Sequence, residues 1–63
     1  MQKYSYDGPV MKFGMCIDGR WTGTTYARTE QEAKRNLIYQ YKVYHDMLPT
    51  AKITLPEKLK IAN

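Results

Sequence analysis

Seven polar positions in this chain have side-chain types and a spacing that could hold a polyanion: Lys12, Thr22, Thr24, Tyr26, Arg28, Lys52 and Thr54. Thr22, Thr24, Tyr26 and Arg28 fall on every second residue, the period of one face of a strand, and Lys52 and Thr54 repeat that spacing further along. Lys and Arg neutralise phosphates, Thr hydroxyls bond phosphate oxygens or base edges, and a Tyr ring stacks on a base or contacts sugar. None of the seven is acidic. The same residue types are also ordinary solvent-facing strand residues, and Lys suits a sheet edge. Whether they form a site therefore depends on the fold that collects them. A secondary basic patch, Lys34, Arg35 and Lys42 with His45, is spaced for one flank of a helix, where such runs are most often simply solvated.

Other chemistry finds little support. Nucleophilic catalysis needs a Ser, Cys or Thr with a base held beside it, and the single histidine, His45, has no evident acid to orient it. A favourable cation near a helix C-terminus is the simpler role for it. One Cys, Cys16, and one His make no zinc ligand set, and Cys16 has no internal disulfide partner. Asp7, Asp18, Glu30, Glu32, Asp46 and Glu57 are scattered, with no pair spaced for acid–base work or a cation cage, and there is no Gly-rich phosphate loop. The expectation is a protein that is not an enzyme, with no catalytic residue, no metal and no cofactor. The lone thiol points to a reducing, cytoplasmic setting, and no apolar run approaches the roughly 18 residues of a membrane span, so no membrane partner is expected. Ten Lys and Arg against six Asp and Glu leave a formal charge of +4, which favours polyanionic partners without specifying one.

The element that positions everything else is the stretch 29–47. Thr29 with Glu32 three residues on is a capping box, and Ala33, Leu37, Tyr41, Tyr44 and Leu48 then share one stripe at helical spacing. Pro49 disfavours helical geometry at Leu48, which predicts a stop near Met47. Glu30 precedes Lys34 by four residues, a weakly stabilising spacing.

Ahead of the helix, residues 1–9 read as an extended arm closed by Asp7-Gly8-Pro9, either packed on the domain edge through Tyr4 and Tyr6 or frayed. Residues 10–28 read as a hairpin turning at Asp18-Gly19, with Met11, Phe13, Met15 and Ile17 on one face of its first strand. A two-residue turn would pair Cys16 with Trp21. A three-residue connection, the preferred register, would instead group Trp21, Gly23, Thr25 and Ala27 with the Met and Phe side chains and leave Lys12, Thr22, Thr24, Tyr26 and Arg28 on the other face. Residues 51–61 supply a third strand and tail, with Ile53 and Leu55 inward, Lys52 and Thr54 outward, and Pro56 marking an edge or bend.

The predicted fold is a single α+β domain: a three-stranded, mostly antiparallel sheet in strand-strand-helix-strand order, with one helix on one face and the third strand beside the first. The passage from Trp21 through Gly23 and Thr29 to Glu32-Ala33 resembles the strand-to-helix passage of the small three-stranded DNA-binding modules at the start of mobile-element integrases and in plant AP2 domains. That resemblance implies a sheet that enters the major groove, although those modules place three strands before the helix. Thr29 to Ala33 with Asn36 is similar to the helix start of HicB-type antitoxin domains, and the whole chain resembles small uncharacterised proteins of phages and integrative elements. The functional expectation is a nucleic-acid-binding accessory protein using the open sheet face. The alternatives are a protein-interaction module or phage-type inhibitor acting through Tyr39 or Tyr6, and a homodimer joined through exposed strand edges.

Overall fold

A computed structural model describes residues 1–62. Its elements are β1 (Gln2–Lys12), β2 (Met15–Ala27), α1 (Glu30–Tyr44) and β3 (Lys60–Ile61), with the sheet ordered β2-β1-β3 and antiparallel throughout. The α+β class, the strand-strand-helix-strand order and the place of the third strand beside the first are those expected. Among the described residues no helix is long and apolar enough to cross a membrane.

The hairpin turn is not at Asp18-Gly19. Lys12 pairs with Met15 and the chain reverses through Phe13 and Gly14, both at positive φ (53° and 77°), the pattern of a two-residue type I′ turn. The arm is consequently the body of β1, with Tyr4 opposite Thr25, Tyr6 opposite Gly23 and Gly8 opposite Trp21. The ladder is irregular between Gly8 and Met11, where the register shifts twice and Asp18 comes opposite Val10. The extra residues of both shifts lie on β2, so alternation along β1 keeps Tyr4, Tyr6 and Val10 all on the helix side and all buried. The face expected to fill the core, Phe13, Met15 and Ile17, is exposed instead.

Thr29 caps α1 as expected, its hydroxyl accepting the Glu32 N–H at 3.1 Å. Ala33, Leu37 and Tyr41 form the buried stripe, whereas Tyr44 and Leu48 are exposed. The helix ends earlier than the proline requires. Asp46 is left-handed (φ 55°), its N–H donates to the Val43 carbonyl and the Met47 N–H to the Lys42 carbonyl at 2.8 Å, a Schellman closure with Asp in the position usually held by Gly. Met47 thereby folds back onto the core.

That core joins Tyr6, Val10, Leu37, Tyr41, Ile53 and Leu55, with Trp21, Ile38, Met47 and Leu59 partly buried around it, and a smaller cluster of Tyr4, Ala27 and Ala33 adjoins it. The Trp21 indole meets Tyr41 edge-on at 5.3 Å between centroids. Tyr6 donates its hydroxyl to the Pro9 carbonyl at 2.6 Å and accepts the Glu57 N–H at 3.4 Å, so the largest buried side chain is polar-satisfied. Burial holds the Tyr6 hydroxyl above its usual pKa, and burial together with the nearby Asp18 carboxylate does the same for Tyr41.

The third segment is only in part a ladder. Ile53 and Leu55 are buried as expected, but residues 51–55 contribute one bridge, Thr54 to Met11, before β3 pairs with Tyr4 and Ser5. Both contacts share one register, and the interruption between them brings Pro56 abreast of Pro9, where neither residue has an N–H to give. Glu30 serves this tail rather than Lys34: its carboxylate accepts the Leu59 N–H at 3.3 Å.

Candidate nucleic-acid interface

With α1 on one side of the sheet, strand alternation sends Lys3, Ser5 and Asp7 of β1 and Thr22, Thr24 and Tyr26 of β2 to the other. They meet as cross-strand pairs, Lys3 with Tyr26, Ser5 with Thr24 and Asp7 with Thr22. Lys60 of β3 pairs with Ser5, so Lys60, Ser5 and Thr24 form a transverse row of about 10 Å across three strands. Arg28 follows the end of β2 and is exposed, as are Thr22, Thr24 and Tyr26. Three of the seven predicted residues, Thr22, Thr24 and Tyr26, are thus together on this face, with Arg28 adjoining them past the end of β2, for the reason anticipated: Trp21, Gly23, Thr25 and Ala27 take the helix side.

The other three are not at that centre. Thr54 lies beside Met11, about 13 Å along β1 from Asp7, and exposed Lys52 is further toward the hairpin end. Lys12 shares the phase of buried Val10 and so belongs to the helix side of the sheet, beyond the helix end; this reverses its expected facing. The inversion follows from the turn at Phe13-Gly14, which puts Val10 rather than Met11 into the core.

Sequence reasoning missed Lys3, Ser5, Asp7, Arg20 and Lys60. The missed signal was the continuation of the Tyr4, Tyr6 alternation through Gly8 to Val10, which Pro9 obscured. Asp7 changes the electrostatics, because the face does carry an acid. It is engaged: the Arg20 guanidinium donates from Nε to Oδ1 at 2.8 Å and from Nη2 to Oδ2 at 3.0 Å. Those hydrogen bonds, with the Arg20 charge, hold the Asp7 carboxyl below its usual pKa. Lys3, Arg28 and Lys60 are then the cations around the Ser5–Thr24 row without an acid opposite them in the ladder.

The sheet edge beyond β2 is partly closed. The Gln40 carboxamide donates to the Thr24 carbonyl at 3.1 Å and that of Asn36 to the Tyr26 carbonyl at 3.5 Å, groups that a pairing strand would otherwise use. The secondary patch divides: Arg35 and Lys42 flank a cleft of about 290 Å³ lined by Ile38, Tyr39, Val43, Met47 and Pro49, while Lys34 lies outside it. Lys42 donates from Nζ to the Pro49 carbonyl at 3.0 Å. His45 is stacked on Tyr41 at 4.1 Å between centroids. Among the described residues no group of three His, Cys, Asp or Glu could hold a metal ion. No protein-family model, curated protein or solved structure matches the chain.

Proposed function

We propose that this chain is a non-enzymatic accessory protein that binds duplex nucleic acid on the open sheet face. The observation that carries the reading is the row Lys60–Ser5–Thr24 bordered by Lys3, Tyr26 and Arg28, with Asp7, the acid among these strand positions, already paired to Arg20. Hydroxyls between cations suit phosphate oxygens at fixed spacing. A duplex fits better than a single strand, because sequence-tolerant single-strand binding uses several stacked aromatics and Tyr26 is the one aromatic on this face.

With three to four cations engaged, the logarithm of affinity should fall with the logarithm of salt with a slope of about −3. Fluorescence anisotropy of a labelled duplex between 50 and 200 mM salt measures this. Lys3→Ala, Arg28→Ala and Lys60→Ala should each reduce the slope by about 1, and Lys34→Ala on the helix should not. Absence of duplex binding at 50 mM salt would end the proposal.

The cleft beside Tyr39 favours a second reading, a protein-interaction module. Tyr39 is exposed there and available to a partner, whereas Tyr6 is buried and cannot be a contact residue. Tyr39→Ala would then abolish partner binding while leaving the salt slope unchanged. A homodimer through the β2 edge would have to displace the Asn36 and Gln40 carboxamides, which light scattering of the wild type and of the Gln40→Ala variant would show.

A further inference from the structure

The hairpin runs past its core and carries exposed apolar side chains at its end. Phe13 is 77% exposed and Met15 69%, with Ile17 at 41%, and residues 11–17 contain no acid. Phe13 also occupies the first central position of the turn at φ 53°, a left-handed conformation that bulky side chains avoid and that Asn, Asp or Gly normally fills. An aromatic ring held in strained backbone where it buries almost nothing gains no stability from being there, and strain of this kind concentrates where a molecule acts on another. Cations accompany it: the Lys12 ammonium stands 5.9 Å from the Phe13 ring centroid, and exposed Lys52 lies in the segment that bridges to Met11 through Thr54.

We propose that Phe13, backed by Met15 and Ile17, is a wedge that inserts between stacked base pairs of the duplex, while Lys12 and Lys52 hold the phosphates on either side. This rests on the nucleic-acid reading of the open face. Apolar side chains on a narrow support enter a groove and unstack one base step, bending the duplex so that it meets more protein. The tip lies about 26 Å along the strands from the Ser5 row, about twice the ~12 Å width of a major groove, so it meets the duplex beyond the phosphates held at that row. The absence of acid in 11–17 and the flanking lysines favour a polyanion. A lipid surface is the competing occupant.

The experiment uses duplexes carrying 2-aminopurine, whose fluorescence rises when its base step opens, with wild type, Phe13→Asn and Phe13→Trp. Phe13→Asn restores the preferred Asn-Gly turn, so its thermal midpoint should rise by several degrees and loss of binding cannot be blamed on unfolding. The wild type should raise the fluorescence. Phe13→Asn should abolish the rise and weaken duplex binding about ten-fold, the loss of one aromatic–base stack, with its salt slope kept; Phe13→Trp should preserve the rise. Wild-type binding without a fluorescence change, and with Phe13→Asn of equal affinity, overturns the wedge and leaves the sheet-face proposal standing. No duplex binding by the wild type at 50 mM salt overturns both. Phe13-dependent binding to phosphatidylserine vesicles, without Phe13-dependent duplex binding, makes the tip a membrane contact and overturns the wedge.

Discussion

Gly23→Ala tests whether helix, indole and sheet are stacked as described. A Cβ built on Gly23 would stand 2.6 Å from Cη2 and 2.9 Å from Cζ2 of Trp21, and 3.2 Å from Cδ2 of Leu37. The indole lies over the glycine two residues along its own strand, and it is pinned from above by the edge-on Tyr41 ring, so it cannot swing aside freely. Forcing a methyl group into such a space costs about 1–3 kcal/mol. Against this, alanine removes freedom from the unfolded chain at a residue whose φ is not positive, a gain of about 0.4–1 kcal/mol. Overpacking wins, leaving a net destabilisation of about 1–2 kcal/mol and a thermal midpoint lower by about 5–15 °C in a domain of this size. Urea titrations followed by the fluorescence of Trp21, the sole tryptophan, report on the disturbed ring itself. Gly19→Ala is the matched control, because its Cβ meets nothing within 4 Å and its φ is not positive. A Gly23→Ala midpoint equal to that of the wild type or of Gly19→Ala would refute the packing of Trp21 and Leu37 over β2.

Tyr6→Phe should cost about 1–2 kcal/mol in urea unfolding, because the Pro9 carbonyl loses its donor and the Glu57 N–H its acceptor while the ring still fills the core. Asp7→Asn should strengthen duplex binding at pH 7 and steepen the salt slope by about 0.9, since it releases the Arg20 guanidinium. Because the Asp7 pKa is lowered by folding, its contribution to stability is present above the ordinary value of 3.8 and is lost as pH falls through the lower folded value; acid titration of Asp7→Asn should lack that loss.

The helix start was legible because Thr29 and Glu32 act locally, through bonds to amides within one turn. Its end was not, because Pro49 gives only an outer limit and the stop is made by Asp46 in a conformation that few sequences advertise. The turn was misplaced for a reason that is tertiary. Asp18-Gly19 is the better turn dipeptide, yet only Arg28 and Thr29 separate β2 from α1. So short a connection obliges the helix to lie over the strand just before it, residues 21–27, and over whatever pairs with that strand. If the chain turned at Asp18-Gly19, that partner would supply Met11, Phe13 and Met15, and Tyr4 and Tyr6 would be left outside. Turning at Phe13-Gly14 supplies Tyr4, Tyr6 and Val10, with about 150–250 Å² buried by each tyrosine and the Tyr6 hydroxyl satisfied by Pro9. Packing of two aromatic side chains outweighs the strain of one phenylalanine at positive φ. The facing expected of Thr22, Thr24 and Tyr26 did not depend on the turn, because they alternate against Trp21 in either register. Lys12 did not, because its facing depends on where the chain turns.

The charge of the open face follows from where the acids go, not from composition. Glu30 and Glu32 occupy the first turn of the helix, where the dipole favours them, and Glu30 also holds the Leu59 N–H. Asp18 is opposite Val10, hence on the helix side, and accepts the Arg20 N–H at 3.2 Å. Asp46 closes the helix, and Glu57 sits over Gly8, its N–H on Tyr6. The carboxylates of Asp18 and Glu30 thus accept backbone N–H groups, Glu32 and Asp46 stand at the two ends of the helix, Glu57 acts through its own N–H, and the sixth acid, Asp7, is bound by Arg20. Apart from Arg20, the sheet cations have no such duties: among the described residues Lys3 and Lys60 make no ion pair and stand where strand alternation places them, around hydroxyls, with exposed Arg28 just past the end of β2. A net charge of +4 spread evenly would give a weak field everywhere, whereas Lys3 and Lys60 stand near one another on the side of the sheet that the helix leaves bare.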